Sequence, residues 1–356
     1  MLEKLEIDNF RCFEKFTFDK IAPITVIGGS NNSGKSTILE AVLTNYVAGN
    51  LGVFWSLVNI RNGFVPRPMN PQQVWGPLFC NKADVNELKI IGQWNDDKVS
   101  EINISKIYDS GMQQQANDAL SSVQLDFKGE QYNISGKCII QNDVVQNNRI
   151  VFQSNNKGDI QREVFDRIFG KCMLYKGMPH DAGLPERISK MILDDKKKDL
   201  IIQVLQKFDS DIVDVRTVLD NGMSYIYVIL KSGEPLAINY MGDGINKALL
   251  IISYILSLKN GILLIDEIEN GFYYELYGQL FEVFCETALE NGCQIIMTTH
   301  NLNVIETTME VMRNLDRFDD LCYQRIDVSR KTGQRSVKYF SGEALVSAFE
   351  SNMEIR

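Results

Sequence analysis

The sequence predicts an α/β fold, and three observations carry that reading. ITVIGG (Ile24–Gly29) is short, wholly apolar and closed by glycine, as a strand buried on both faces reads. GILLID (residues 261–266) and QIIMTT (residues 294–299) repeat the pattern, and a helical periodicity follows each. Between them, residues 87–153 hold short alternating segments (ELKIIGQW, EINISKIY, SVQLDF, QYNISG) that read as an antiparallel β subdomain. The expectation is a mixed central sheet with an antiparallel β subdomain and a helical insertion.

The elements follow in order. Residues 2–7 alternate as a strand, and residues 13–18 alternate as the return arm of a hairpin. A helix is expected over about 35–47, after the first apolar strand. Residues 59–83 hold Pro66, Pro68, Pro71 and Pro77 and read as an ordered loop, because Trp75, Leu78 and Phe79 need burial. Helical patterns take over near Asp159. RISKMILDDKKKDLIIQVLQKF (residues 187–208) is amphipathic on both sides of a charged break. Strands return at IVDVRTVL and SYIYVIL. YMGDGINKALL (residues 240–250) then opens a helix, with two glycines bracketing an aspartate. The end, YQRIDVSRKTGQRSVKYF (residues 323–340), reads as a hairpin, and no heptad repeat is long enough for a coiled-coil arm.

Composition narrows the function. With 356 residues, 44% hydrophobic and 23% charged, the chain has material for a real core. A net charge of −9 argues against chain-wide affinity for nucleic acid or anionic membrane, while leaving room for a local basic patch. The seven cysteines form no C-x-x-C pair and read as reduced thiols rather than a disulfide frame or zinc site. No apolar run is long enough to span a bilayer, and MLEKLEIDNF has acids where a signal peptide would be basic and then apolar. A cytoplasmic protein without membrane contact is expected. The two histidines, His180 and His300, speak against multi-histidine metal centres.

Three motifs carry chemistry. GSNNSGKST (residues 29–37) fits G-x-x-x-x-G-K-[ST] between a buried strand and a helix, the context of a phosphate loop. Its backbone N–H groups, from Gly29 through Asn31, Asn32, Ser33 and Gly34 to Thr37, would form an anion nest at a helix N-terminus. Lys35 would reach the β- and γ-phosphates of ATP, and the Ser36 hydroxyl would ligate Mg²⁺. In GILLIDEIENG (residues 261–271), a buried strand delivers Asp266 to Mg²⁺ and Glu267 to the attacking water. Glu269 reads equally as a solvated acid at a helix start. QIIMTTHN (residues 294–301) brings His300 to the same sheet edge, to bond the γ-phosphate or hold the water.

These motifs, in this order, resemble the ABC-type ATPase heads of SMC, RecF and OLD-like proteins, OLD-like bacterial ATPases above all. The resemblance covers nearly the whole chain. It includes DNFRCF (residues 8–13), WGPLF (residues 75–79) and the closing EIR (residues 354–356). It implies one ABC-type head over 1–356: the start of the phosphate-loop lobe at 1–58, an ordered loop and β subdomain at 59–158, a helical insertion at 159–210, and a signature, acidic-strand and histidine lobe at 211–356. It makes YMGDG the signature, with Met241, Gly242, Asp243 and Gly244 facing the nucleotide of a second copy. It also implies ATP-dependent dimers and a separate effector protein in bacterial defence, since a nuclease domain like that of some OLD proteins is not expected. The sequence departs from the pattern at three places. Met241 replaces a serine, Asp243 brings a negative charge, and Tyr273 stands where relatives often have histidine. Arg11 stands where related heads place a basic residue near the nucleotide, and reads equally as a surface arginine. Gln93 is the guess for the Mg²⁺-sensing glutamine. Arg325, Arg330, Lys331, Arg335 and Lys338 read as a solvated hairpin rather than a nucleic-acid surface. The alternatives are a RecF-like ATPase that binds DNA and a transporter nucleotide-binding subunit.

Overall fold

The computed structural model describes residues 1–46, 76–80, 85–108, 130–140, 143–152, 171–176, 181, 183–220 and 222–351. Two compact units interleave along the chain. Unit 1 comprises Met1–Ile21, Asn32–Phe169 and Asp327–Val337; unit 2 comprises Ala22–Asn31, Gly170–Ile326 and Lys338–Arg356. The chain forms β1 (Leu2–Phe10) and β2 (Phe13–Phe18) in unit 1, enters unit 2 for β3 (Ile24–Gly29), and returns through the phosphate loop to α1 (Lys35–Tyr46).

Unit 1 is built on an antiparallel sheet. To β1 and β2 it adds β4 (Glu87–Trp94), β5 (Lys98–Tyr108), β6 (Glu130–Ile140) and β7 (Asp143–Phe152), in the order β2-β1-β4-β5-β6-β7. Alternation puts Leu5, Ile7, Phe16, Phe18, Leu88 and Ile90 inside. A buried polar network anchors α1: Asn45 Nδ2 donates to the Ile90 and Ser100 carbonyls at 3.2 and 3.1 Å, and Trp94 Nε1 donates to Ser100 Oγ at 2.7 Å. Position 92 must be glycine here, because a Cβ would lie 2.3 Å from Asn45 Oδ1. Leu78 and Phe79 are buried as expected, with Phe79 bridged to Phe10. Trp75, SVQLDF, His180 and the closing EIR lie outside the described residues.

Unit 2 carries the core sheet. Its elements are β8 (Cys172–Tyr175), α2 (Leu184–Met191), α3 (Asp195–Gln206), β9 (Ile212–Asp220), β10 (Met223–Leu230) and β11 (Pro235–Ala237). They continue with α4 (Asp243–Ser257), β12 (Ile262–Ile265), α5 (Tyr277–Glu290), β13 (Gln294–Thr298), α6 (Leu302–Asn314), β14 (Leu321–Val328), β15 (Arg335–Ser341) and α7 (Gly342–Glu350), of which the end of β14 and the start of β15, within Asp327–Val337, fall in unit 1. The sheet order is β15-β14-β3-β13-β12-β8, and every pairing from β14 to β8 is parallel. β9, β10 and β11 form a separate three-stranded antiparallel sheet. Residues 245–255 of α4 are buried throughout, so this helix is a core element rather than an amphipathic cover. The charged break between α2 and α3 is a capping site: Asp194 accepts from the Lys196 and Lys197 N–H groups.

One strand differs from the sequence reading. Cys172–Tyr175 lies inside the stretch read as helical, yet it is the edge strand of the core sheet, paired with β12. Four residues carry too little periodicity to declare a strand, and only the neighbour's open edge selects that conformation.

Candidate nucleotide site

In unit 2, three strand ends meet at one edge. Ile27 pairs with Thr298 and Met297 with Ile265, so β3, β13 and β12 finish side by side. The loops that leave them carry Gly29 to Asn31, His300, and Asp266 with Glu267. The carboxyl edge of parallel strands is where α/β sheets bind ligands. Gly28 admits the buried Tyr323, whose hydroxyl would lie 2.1 Å from a Cβ there.

The two acids are oriented by a residue the motifs did not flag. Thr298 Oγ1 accepts from the Glu267 N–H at 2.9 Å and donates to Asp266 Oδ1 at 2.7 Å. Glu267 is exposed and sits at φ 51°, a left-handed conformation that L-residues rarely adopt. Its carboxylate is held by Asn270, whose Nδ2 donates to Oε2 at 2.5 Å. Non-glycine residues held there by their surroundings cluster at functional sites.

Glu269 holds His300. Its Oε1 accepts from the His300 backbone N–H at 2.9 Å and lies 3.0 Å from Nδ1. A carboxylate at Nδ1 keeps the proton on that nitrogen and leaves Nε2 for the ligand side. Glu269 is 8% exposed, and its Oε2 is buried without a partner among the described residues.

Lys247, on α4, grips the same loop. Its Nζ donates to the carbonyls of Ile268 at 2.8 Å, Asn270 at 2.5 Å and Glu267 at 3.4 Å. The ammonium also stands 4.6 Å from the Phe272 ring centroid. Burial pulls its pKa down to about 8, against the opposing pull of Glu269 and Glu267. The helix that begins after Gly242 therefore clamps the loop that carries Glu267.

YMGDG, the stretch expected to be the signature, opens α4. Gly242 adopts φ 95° with nothing among the described residues within 4 Å of a Cβ built there, while a Cβ on Gly244 would lie 2.6 Å from the Gly271 carbonyl. Gly244 is thus required by packing. Asp243, exposed at the first helical position, complements the helix dipole, which accounts for an acid there. Met241 is half-buried against the core. Tyr240 is 84% exposed, and Tyr273 and Tyr274 are exposed with ring centroids 4.8 Å apart.

In unit 1, the second half of the phosphate loop enters α1. Asn32 has φ 61° and Gly34 φ 113°, the left-handed kinks that turn successive N–H groups inward. A Cβ on Gly34 would lie 2.7 Å from Phe13 Cζ and 3.1 Å from Cys12 Sγ. The Ile38 N–H donates to the Gly34 carbonyl at 3.0 Å, the first helical bond. Lys35 and Thr37 are buried, and Cys12 Sγ lies 3.7 Å from Thr37 Oγ1. The Ser33 hydroxyl is buried without a partner among the described residues, and such a group is satisfied by a ligand oxygen. The loop therefore fits a phosphate chain. Arg11 pairs with Glu40 of α1 at 2.9 Å, so its guanidinium is committed at least in part to the helix. Gln93 is exposed on β4, in register with Val99.

The basic hairpin is not uniformly solvated. Arg325 is buried in β14, and Arg335 turns back onto the phosphate loop, donating to the Ser33 carbonyl from Nε at 2.9 Å. Arg330, Lys331 and Lys338 are exposed as expected.

A strand–phosphate loop–helix, with paired acids and a histidine at the neighbouring strand ends, defines a P-loop NTPase. Comparison with known proteins agrees. Residues 157–306 match the family described as "AAA domain, putative AbiEii toxin, Type IV TA system", and residues 4–45 match "AAA domain". An "ATP/GTP phosphatase" of Helicobacter pylori is 22% identical over 342 residues, covering 89% of this chain and 90% of that protein. An uncharacterised protein of Methanocaldococcus jannaschii is 29% identical over 116 residues, covering 33% of this chain and 90% of its own. Among solved structures, an SMC head bound to the C-winged helix domain of ScpA superposes with TM-score 0.52 at 14% identity, covering 97% of this chain and 99% of that one. An SMC head with an extended coiled coil, bound to the C-terminal domain of ScpA from Pyrococcus furiosus, gives 0.50 at 13% identity, with 99% of each chain covered. The chain has the fold of a P-loop NTPase, an ABC-ATPase-like head with a mixed core sheet and antiparallel sheets. Among the described residues, no helix is long and apolar enough to cross a membrane.

Proposed function

We propose that the protein is an ATP-driven switch. Two copies close head to head around ATP, the N-terminus of α4 in each completing the site of the other, and hydrolysis releases them. The observation that carries this reading is the open start of α4. Gly242 and Asp243 are exposed at the head of a fifteen-residue helix, with Tyr240 exposed just before them and, among the described residues, nothing within 4 Å of a Cβ built on Gly242. Such a terminus has backbone donors to offer an anion brought by another molecule.

The chemistry follows from the motifs. The loop N–H groups and Lys35 hold the phosphates. Ser36 and Asp266 would supply oxygens that suit Mg²⁺, which would neutralise phosphate charge. Glu267 accepts a proton from the water that attacks the γ-phosphorus, and ADP leaves with phosphate. His300, through Nε2, holds the γ-phosphate or that water. The OLD-like resemblance extends the reading to control of a separate effector protein in bacterial defence against phage or plasmids. Two things support a protein partner: the toxin–antitoxin wording of the matched family, and the ScpA domain bound to the SMC heads.

The test is mass in solution by light scattering, with and without ATP. Glu267→Gln is expected to form an ATP-dependent dimer that persists, and Asp243→Trp to abolish the shift while leaving ATP binding intact. Position 243 is the better block than 244, since bulk at Gly244 would break its contact with Gly271. A Glu267→Gln protein that hydrolyses ATP at the wild-type rate would remove Glu267 from its role.

A further inference from the structure

The carbonyl side of the phosphate loop is held by an arginine from the far end of the chain. Arg335 opens β15, and its guanidinium makes contacts on three sides within unit 1. Nε donates to the Ser33 carbonyl at 2.9 Å, Nη1 to the Cys12 carbonyl at 2.9 Å, and Nη2 to the Asn32 carbonyl at 3.5 Å. The carbon between these nitrogens stands 5.9 Å from the Phe13 ring centroid. Phe13 is also the ring against which Gly34 packs.

The consequence is geometric. In a trans peptide the C=O and the following N–H point in opposite directions. A guanidinium that draws the Ser33 carbonyl to one side therefore turns the Gly34 N–H to the other. A pull on the Asn32 carbonyl does the same for the Ser33 N–H. These are two consecutive donors of the anion nest, in the stretch where Asn32 and Gly34 take positive φ. The planar fork of arginine can address two carbonyls and a ring at once, whereas a lysine ammonium is a point charge without that geometry.

We propose that Arg335 is the positioning residue of the phosphate loop, bracing its carbonyls from behind so that the Ser33 and Gly34 N–H groups converge on phosphate. The role rests on the reading of residues 29–37 as the nucleotide loop. It takes Arg335 out of the solvated hairpin and makes strand β15 part of the ATP site's support. A pocket of about 540 Å³ adjoins the contact, lined by Cys12, Phe13, Lys15, Cys80, Gly333 and Arg335 itself, and gives solutes access to the guanidinium position.

That access supplies the test. Arg335→Ala is expected to bind a fluorescent ATP analogue at least about tenfold more weakly, the scale of one lost charge-assisted hydrogen bond. Free guanidinium, well below denaturing concentration, restores affinity to this variant and not to wild type, while ammonium does not. Arg335→Lys stays impaired. Amide hydrogen exchange without nucleotide is expected to be faster at Ser33 and Gly34 in Arg335→Ala, with the β4–β5 amides unchanged. Wild-type affinity in Arg335→Ala, or weakened affinity that guanidinium leaves unchanged, overturns the proposal. If Arg335→Ala does not fold, wild-type affinity in Arg335→Lys overturns it equally. If the wild type binds no ATP, the nucleotide reading fails on its own. The exchange rates then decide the bracing separately, with unchanged rates at Ser33 and Gly34 overturning it.

Discussion

Two helices of this protein begin after a glycine with positive φ, α1 after Gly34 and α4 after Gly242. Their local chemistry is alike: the backbone N–H groups of a first helical turn and the positive end of a helix dipole. Their surroundings are not. Gly34 is pressed against Phe13 and Cys12, Lys35 beside it is buried, and Arg335 holds the loop from behind. Gly242 has open space on its free side, and Asp243 after it is exposed. The first terminus is walled in by its own unit. The second presents the same donors with no wall around them, as expected of a surface completed by another molecule. A glycine-led helix start thus supplies donors, and packing decides whether they hold a ligand unaided.

The sharpest way to break this comparison is Lys35→Ala. It should raise the Kd for ATP about tenfold to a hundredfold, the range of one or two lost charge-assisted hydrogen bonds. A nucleotide titration checks it, and an unchanged Kd would show that α1 is not the primary holder. The glycine pair tests stability instead. Gly34→Ala and Gly242→Ala both place an L-residue at a positive φ, a strain of about 1–3 kcal/mol. Only the first also drives a Cβ into Phe13, for a further ~1–3 kcal/mol. Thermal melts should rank Gly34→Ala as clearly less stable, and equal losses would mean that the wall around α1 yields.

The smallest effect concerns the link between α4 and the acidic loop. Lys247→Met should lower the ATPase rate about tenfold, the equivalent of ~1.4 kcal/mol in the barrier, because the Glu267–Asn270 loop loses its clamp. With its pKa depressed to about 8, Lys247 gives up its proton as pH rises through that value, so the wild-type rate should fall there. The sign for stability is opposite. A lysine held below its ordinary pKa binds fewer protons folded than unfolded, so its charge costs stability below about pH 8. The cost fades as pH climbs toward the normal lysine range. Lys247→Met should show neither the alkaline decline in rate nor that stability trend, and a variant that keeps both would assign them to another group.

Much of the site was legible because its chemistry is contiguous. GSNNSGKST, DE after an apolar strand, and a histidine after another each need only one stretch of chain to be recognised. The supporting residues had no such signal. Thr298 bridges Glu267 and Asp266 from another strand, Lys247 reaches residues some twenty positions on, and Arg335 lies about three hundred residues from Ser33. Glu269 stood undecided in the sequence until His300 folded against it. Cys172–Tyr175 showed no strand pattern because its conformation comes from β12.

Periodicity and punctuation therefore specified the strands that pair locally or are buried along their whole length, and with them the placement of phosphate loop, acids and histidine at strand ends. Those properties depend on backbone sterics, side-chain alternation and helix starts, which neighbouring residues settle among themselves. The orientation of each catalytic group came only with tertiary structure. A carboxylate, an imidazole or a peptide N–H is aimed by the hydrogen-bond partner that folding brings to it, and here those partners come from distant parts of the chain.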